Sequence, residues 1–375
     1  MTKEVLIIDY LPRYDIRSGE LKMKKTRVAV LGASGMIGQK FAQMLEGHPY
    51  FEVEGLYASE KSDGKRLRDV LKVRDHAFAE ETLDTRMETM DLKKIAKESR
   101  IAFSGLPSDI ARKAESELAE NGVAVFSNAG SHRMDKNVSI LIPEVNPSHL
   151  DSIKDQSTYG NGGFIVTNAN CSTTGITPPL AAVRNAYGLE FVSVSTYQAL
   201  SGAGYPGVPS LDAVGNVIPF ISGEEEKIET ELAKMLGTYE NKAFNFASVK
   251  VFANCARVPV IDGHLESLVI KTEKTPSVDE MIKTLMTFKG EPQTMKLPSA
   301  PSEPIIVRTE DNRPQPALDS LAGSPERARG MAVTVGRVRK SDEYYKMFVL
   351  SHNTMRGGAG GSVLNAEFAK MKGLL

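Results

Sequence analysis

The chain has no tryptophan and only two cysteines, Cys171 and Cys255, among its 375 residues. Two thiols so far apart form no disulfide framework and suit a reducing compartment. Six histidines, at 48, 76, 132, 149, 264 and 352, show no ligand spacing, which argues against a metal site. The net charge of −1 supplies no general attraction to nucleic acid or an anionic membrane, so an anionic ligand has to be met by a few placed cations. No apolar run approaches the length of a membrane span, and Val5-Leu6-Ile7-Ile8 is too short for a secretory core and is broken by Asp9. These absences point to a cytoplasmic globular protein with neither nucleic acid nor membrane as partner. The length suggests two domains. Residues 1–22 read as an extension ahead of the first regular element, with Met23 an equally good start.

What is present begins with Arg27-Val28-Ala29-Val30-Leu31, a buried-strand pattern that runs through Gly32-Ala33-Ser34-Gly35-Met36-Ile37-Gly38 into a helical pattern over Gln39 to Leu45. Strand, glycine turn and helix are what a pyrophosphate requires: backbone that can approach it closely and a helix N-terminus facing it. The next strand pattern, Phe51 to Tyr57, leads to Ser59, Lys61, Ser62 and Lys65, where an NAD enzyme usually places an acid. Hydroxyls and lysines suit a 2′-phosphate instead and predict NADP, although Glu60 and Asp63 oppose it. Ile101 to Ser108 and Val123 to Asn128 repeat the theme of an apolar strand ending in small polar residues, with helical spacing over Asp109 to Ala119 between them. In a doubly wound sheet such strand ends line the ligand crevice.

Thr167-Asn168-Ala169-Asn170-Cys171-Ser172-Thr173-Thr174-Gly175 follows the apolar run Gly163 to Thr167 and places a cysteine at the mouth of a predicted helix. A sulfur there meets the positive end of the macrodipole, which predicts a lowered pKa and a nucleophilic thiolate. Pro178-Pro179 belong in the first turn of a helix, which moves its predicted start toward Thr177. Beyond about residue 165 the pattern changes to longer alternating strands over Leu189–Gln198, Ser248–Arg257, Gly263–Thr272 and Met331–Val338. They predict a mixed α/β domain whose sheet is open on one side. The proline-rich stretch 298–316 reads as an extended connector or interface arm. His264, in a turn leading into a strand, becomes chemically interesting beside Cys171: an imidazole there can activate the thiol and protonate a collapsing intermediate.

Together these segments resemble the aspartate-semialdehyde dehydrogenases, in their archaeal and fungal branch. The likeness runs from Met23 to the C-terminus and is carried by Gly32 to Gly38, Leu106-Pro107-Ser108, Ser127-Asn128-Ala129 with Arg133, Asn170 to Thr173, Gln198 to Gly204, Glu224 to Lys227, Arg257 with His264, and His352 to Gly357. It implies a Rossmann-like doubly wound NADP-binding domain, residues 23–165 and 351–375, and a mixed α/β catalytic and dimerisation domain, residues 166–350. The implied reaction is NADPH-dependent reduction of β-aspartyl phosphate to aspartate semialdehyde through a thioester, with Cys171 as nucleophile, His264 as acid and base, and Gln198 orienting the reacting groups.

The resemblance also implies substrate contacts. Arg257 forks onto the carboxylate, Arg133 and Lys227 hold the phosphate, Glu224 faces the ammonium, and Asn170 and Gly202 complete the site. For the cofactor it implies Gly32, Ser34, Gly35, Met36, Ile37, Ser59, Ser62, Leu106, Pro107, Ser108, Ser127, Asn128, Ser201, Gly202 and Asn353. A homodimer or homotetramer is implied, with the second sheet as the contact. Cys255 is expected to pack in the sheet, and Ser324 to Arg329 reads as a small loop insertion. Malonyl-CoA reductase, of the same superfamily, competes around Gly290-Glu291-Pro292 and Leu297 to Pro301. N-acetyl-glutamyl-phosphate reductase is a poorer match around Cys171 and His264, and a non-catalytic NADP sensor would need neither residue.

Overall fold

A computed structural model describes residues 14–15, 22–73 and 78–375. The expected extension over 1–22 lies almost wholly outside them, as does His76. The first sheet has seven strands, all parallel: β1 (Thr26–Leu31), β2 (Phe51–Ala58), β3 (Met87–Thr89), β4 (Ile101–Ser104), β5 (Ala124–Ser127), β6 (Ser139–Ile140) and β7 (Phe164–Thr167). Their spatial order is β3-β2-β1-β4-β5-β7-β6. These strands read as unbroken apolar runs because helices cover both faces, and Val28 to Leu31 and Ile101 to Phe103 are fully buried. Helix α1 (Met36–Leu45) follows β1, and α2 (Ser108–Glu120) connects β4 to β5.

Glycine is required at two points of the turn after β1. Gly32 has φ +75°, and a Cβ on it would stand 2.8 Å from Gly105 O; a Cβ on Gly38 would stand 2.2 Å from Gly32 O. The turn therefore folds tightly and brings α1 close to the strand. The predicted loop insertion has a visible task here. Arg327 donates to Met44 O (2.8 Å), Glu46 O (3.1 Å) and Gly47 O (3.0 Å), satisfying carbonyls at the C-terminal end of α1.

The second sheet has six strands: β8 (Phe191–Gln198), β9 (Lys250–Arg257), β10 (His264–Lys271), β11 (Ile305–Arg308), β12 (Val333–Ser341) and β13 (Tyr344–Ser351), in the order β9-β8-β10-β13-β12-β11. Its pairings are mixed, with β8 parallel to β9 and antiparallel to β10. The stretch 298–316 is thus not only a connector: Ile305–Arg308 pairs in parallel with β12 and forms the sheet edge, while Leu297 and Ala300 pack into the first core. One sheet face packs on α3 (Cys171–Tyr187), α4 (Glu224–Met235) and α5 (Val278–Thr287) through Ile176, Leu180, Ile228, Leu232 and Leu285. The opposite face exposes Tyr197 and Phe252, the latter by 56%.

Helix α3 begins at Cys171, not near Thr177, and carries Pro178 and Pro179 within it. An internal proline costs a helix about 3 kcal/mol. Tertiary burial overrides that cost, since every residue from Ser172 to Val183 is buried. Asn170 caps the helix, its Oδ1 accepting from Ser172 N (3.0 Å) and Thr173 N (3.1 Å). The final helix, α6 (Gly360–Met371), returns to the first core through Val363, Leu364 and Phe368. Among the described residues no helix is long and apolar enough to cross a membrane.

Candidate active site

The start of α3, the C-terminal end of β8 and the start of β10 converge at one point. Cys171 Sγ lies 3.2 Å from His264 Nε2, although the residues are 93 positions apart. His264 Nδ1 accepts the backbone N–H of Ala199 at 3.0 Å. Cys171 as a residue is only partly exposed. Burial pushes the Cys171 thiol up to about 12, and the Glu224 carboxylate adds to the rise, against the opposing pull of Arg133 and Arg257. The lowered pKa expected from the helix N-terminus is therefore overturned, because desolvation of the buried thiolate is the dominant effect. Burial likewise pulls His264 down to about 3, with the Arg257 charge acting in the same direction. Burial thus disfavours the charged form of both partners.

Gln198 closes the wall beside this pair. Its Nε2 donates to Glu224 Oε1 (3.0 Å), and its Oε1 accepts from Thr196 Oγ1 (3.0 Å). Asn170 Nδ2 donates to the same Glu224 oxygen at 2.7 Å. Glu224 Oε2 faces Lys227 Nζ at 3.5 Å. Lys227 is 44% exposed and retains freedom to turn toward a ligand. Gly202 is required in this wall: a Cβ there would stand 2.8 Å from Arg257 Nη1 and 3.0 Å from His264 Cε1.

The two arginines differ. Arg257 is buried on β9, donates to Ala199 O at 2.7 Å, and among the described residues makes no ion pair. A buried guanidinium without a counter-ion is costly unless an anion completes it. Arg133, by contrast, is tied into the protein: Nε donates to Asn168 O (2.8 Å), Nη1 to Glu231 Oε1 (2.9 Å) and Nη2 to Asn128 O (2.9 Å). A guanidinium carries five N–H groups, so one on each terminal nitrogen is left over by count. Arg133 is thus a wall brace first, which its expected phosphate role did not foresee.

Sequence reasoning missed the supports of this wall. Glu231 Oε2 accepts the backbone N–H of Asn170 at 2.6 Å, coupling Arg133 to the cap that carries Cys171. Lys234 Nζ, pulled down to about 8 by burial, donates to Arg133 O (2.6 Å) and Val138 O (2.8 Å). The available signal was helical spacing, since Glu224, Glu231 and Lys234 fall on the stripe of Ile228, Leu232 and Met235 that faces the protein interior.

The nucleotide crevice adjoins the thiol. Gly32, Ser34, Gly35, Met36 and Ile37 are partly exposed along the turn, and α1 starts from Gly35 with no side-chain cap. Its free backbone donors and close-packed glycines fit a pyrophosphate. A Cβ on Gly358 would touch Ile37 Cδ1 (3.1 Å), and one on Gly357 would stand 2.8 Å from Cys171 Cβ. This glycine pair is the bridge between the turn and the nucleophile. Ser59 is exposed at the end of β2 and Ser62 is nearly covered; Leu106, Pro107 and Ser108 border the crevice at the start of α2. Asn128 is held by Ser362 and Asn168, and Asn353 links Ser201 Oγ (2.8 Å) to Gly263 N (2.9 Å). Ser127 departs from expectation. It is fully buried and donates to Glu115 Oε1 at 2.8 Å, so its side chain braces β5 and does not face the crevice.

Residues 27–153 match the family described as semialdehyde dehydrogenase, NAD binding domain, and residues 180–356 match the semialdehyde dehydrogenase dimerisation domain. Aspartate-semialdehyde dehydrogenase of Archaeoglobus fulgidus is 48% identical over 343 residues, covering 91% of this chain and 96% of that protein. The enzyme of the same name from Aspergillus fumigatus is 41% identical, covering 94% and 99%. Among solved structures, aspartate semialdehyde dehydrogenase with NADP from Candida albicans superposes with a TM-score of 0.84 at 36% identity, covering 94% of this chain and all of that one. With the thiol–imidazole pair, the unpaired buried arginine and the glycine turn meeting in one cleft, the chain belongs to the aspartate-semialdehyde dehydrogenase family.

Proposed function

We propose that this enzyme acts through a covalent thioester on Cys171, reducing β-aspartyl phosphate to aspartate semialdehyde. The observation that carries the reading is the 3.2 Å contact between Cys171 Sγ and His264 Nε2 beside the unpaired Arg257. Bound NADPH supplies the hydride that reduces the thioester. Cys171 attacks the acyl carbon and phosphate leaves, which turns one difficult displacement into two easier steps. Arg257 takes the substrate carboxylate with two parallel N–H groups. Glu224, its Oε1 already engaged by Asn170 and Gln198, offers Oε2 to the substrate ammonium. Lys227 turns from Glu224 toward the phosphate, and the spare N–H groups of Arg133 back it.

Gln198 and Gly202 set the shape of the pocket around the reacting carbon. Ser59 and Ser62, with Lys61 and Lys65, receive the 2′-phosphate of the cofactor. Residues 23–165 with 351–375 form the nucleotide domain and 166–350 the catalytic domain, consistent with the return of α6 to the first core. The exposed sheet face with Tyr197 and Phe252 makes a homodimer, or a tetramer of two such dimers, in the cytoplasm. The deciding assay is phosphate-dependent NADP reduction with aspartate semialdehyde. An enzyme that showed none, yet oxidised NADPH with malonyl-CoA, would sink the aspartyl phosphate assignment.

A further inference from the structure

The loop that leaves the catalytic wall meets the segment that follows β2. Beyond Ser201 and Gly202 the chain reaches Tyr205, which is exposed. Lys72 Nζ stands over that ring, 4.9 Å from its centre. The same ammonium donates to Ser34 O at 2.8 Å, inside the glycine turn that leads into α1. Lys72 is half-buried and is therefore fixed between the turn on one side and the Tyr205 loop on the other.

The fold does not need this ammonium to hold the segment in place. Gln39, fully buried on α1, does that: its Oε1 accepts the backbone N–H of Lys72 (2.8 Å) and of Val73 (3.3 Å), and its Nε2 donates to Val70 O (2.8 Å). An ammonium carries three N–H groups, and Lys72 spends one on Ser34 O. Among the described residues it makes no ion pair, and the Tyr205 ring meets it face-on without using a donor. The turn from Gly32 to Gly38 contains no charged side chain, so its own offer to a pyrophosphate is backbone N–H alone. With a net charge of −1 on the whole chain, the two phosphate charges have to be met by a cation placed beside the turn.

We propose that Lys72 is the cation that receives the cofactor pyrophosphate, and that the Tyr205 ring positions its ammonium from the opposite side of the cleft. This goes beyond the assignment of Ser59, Ser62, Lys61 and Lys65 to the 2′-phosphate and is independent of the acyl substrate. Lysine suits the task because a compact ammonium with free N–H groups serves a phosphate as a point charge, with no demand for the paired geometry of a guanidinium. Tyr205 is a positioning residue: it holds the charge by its ring face and leaves the donors for the phosphate oxygens. Because Tyr205 lies on the same loop as Ser201 and Gly202, the contact also ties that loop to the nucleotide turn.

The test measures binding to the full-length protein without turnover, by titration of NADPH fluorescence at fixed salt and by displacement of NADPH with 2′-AMP, which bears the 2′-phosphate but no pyrophosphate. Lys72→Met should weaken NADPH by roughly 10–100-fold, the loss of one charge-assisted contact. It should leave 2′-AMP binding as in the parent, and Lys72→Arg, which keeps the charge, should recover most of the NADPH affinity. Tyr205→Leu should weaken NADPH by about 2–5-fold, Tyr205→Phe should not, and Tyr205→Leu should add nothing in the Lys72→Met background. Urea unfolding of Lys72→Met should match the parent, since Gln39 holds the segment. An NADPH affinity within about twofold of the parent in Lys72→Met overturns the proposal. So does an equal loss for 2′-AMP, which would place Lys72 on the 2′-phosphate, or a matching loss of stability, which would make it a structural tie. Additive losses from Lys72→Met and Tyr205→Leu overturn the positioning role of Tyr205.

Discussion

Replacing Arg257 by methionine should separate activity from stability. Methionine keeps much of the apolar stem and removes a cation that is buried, holds one hydrogen bond to Ala199 O at 2.7 Å, and among the described residues has no carboxylate partner. If Arg257 holds the substrate carboxylate as proposed, that guanidinium makes two charge-assisted hydrogen bonds to it, each worth roughly 1.5–3 kcal/mol. Losing both costs about 3–6 kcal/mol, or about 10²–10⁴ in kcat/KM for aspartate semialdehyde at about 1.4 kcal/mol per decade. The folded protein loses the charge-assisted Ala199 bond, roughly 1.5–3 kcal/mol, but no longer desolvates a guanidinium that no carboxylate contacts, so stability should stay within about 2 kcal/mol of the parent. Arg257→Lys should fall between, losing about 10–100-fold because an ammonium cannot supply the parallel pair. Steady-state kinetics in the phosphate-dependent direction and urea unfolding give both numbers. A methionine variant that kept kcat/KM within tenfold, or that lost more than about 3 kcal/mol of stability, would show that Arg257 is a structural residue.

Cys171→Ala should abolish turnover while leaving NADPH affinity, read by the cofactor's own fluorescence, nearly unchanged; Cys255→Ala, in the buried sheet, should stay active. A Cys171 variant with a tenth of parental activity would contradict the covalent mechanism. Glu231→Ala removes the partner of buried Arg133 and the acceptor of Asn170 N, and should lower unfolding free energy by about 3–5 kcal/mol. A loss under about 1 kcal/mol in urea titration would show that the Arg133 pair contributes little. His149 is buried, accepts from Asn146 Nδ2 (3.1 Å), donates to Gly237 O (3.1 Å), and is pulled down to about 4 by burial. Because its folded pKa lies below the ordinary 6.5, the unfolded chain binds the proton first as pH falls. Its contribution is therefore full above about pH 6.5 and is lost toward pH 4, by about 3 kcal/mol in all. His149→Gln should flatten the stability profile in that window, and an unchanged slope would refute the assignment.

Elements whose causes are local were legible in the amino-acid pattern alone. Unbroken apolar runs such as Val28 to Leu31 mark strands covered on both faces, and alternating ones such as Lys250–Arg257 mark a sheet with one open face, because burial on two sides or one is written directly in the period of the side chains. The glycine turn at Gly32 to Gly38 was legible because positive φ and close approach exclude a Cβ there. Cys171 was legible because it follows an apolar strand run and precedes a Ser/Thr cluster that reads as a helix start. What depended on distant partners was not legible. Two prolines pointed to a later start for α3 because their cost is local, whereas the burial that outweighs it comes from the second sheet and from α4 and α5. The sign of the Cys171 shift followed the helix end in sequence but desolvation in the fold. Arg133 carried a charge that any ligand could claim, and only the packing of α4, which brings Glu231 within 2.9 Å across 98 positions, decided that the protein claims most of it. Sequence spacing fixes what a residue can do locally; which of its bonds are already made is a property of the assembled neighbours.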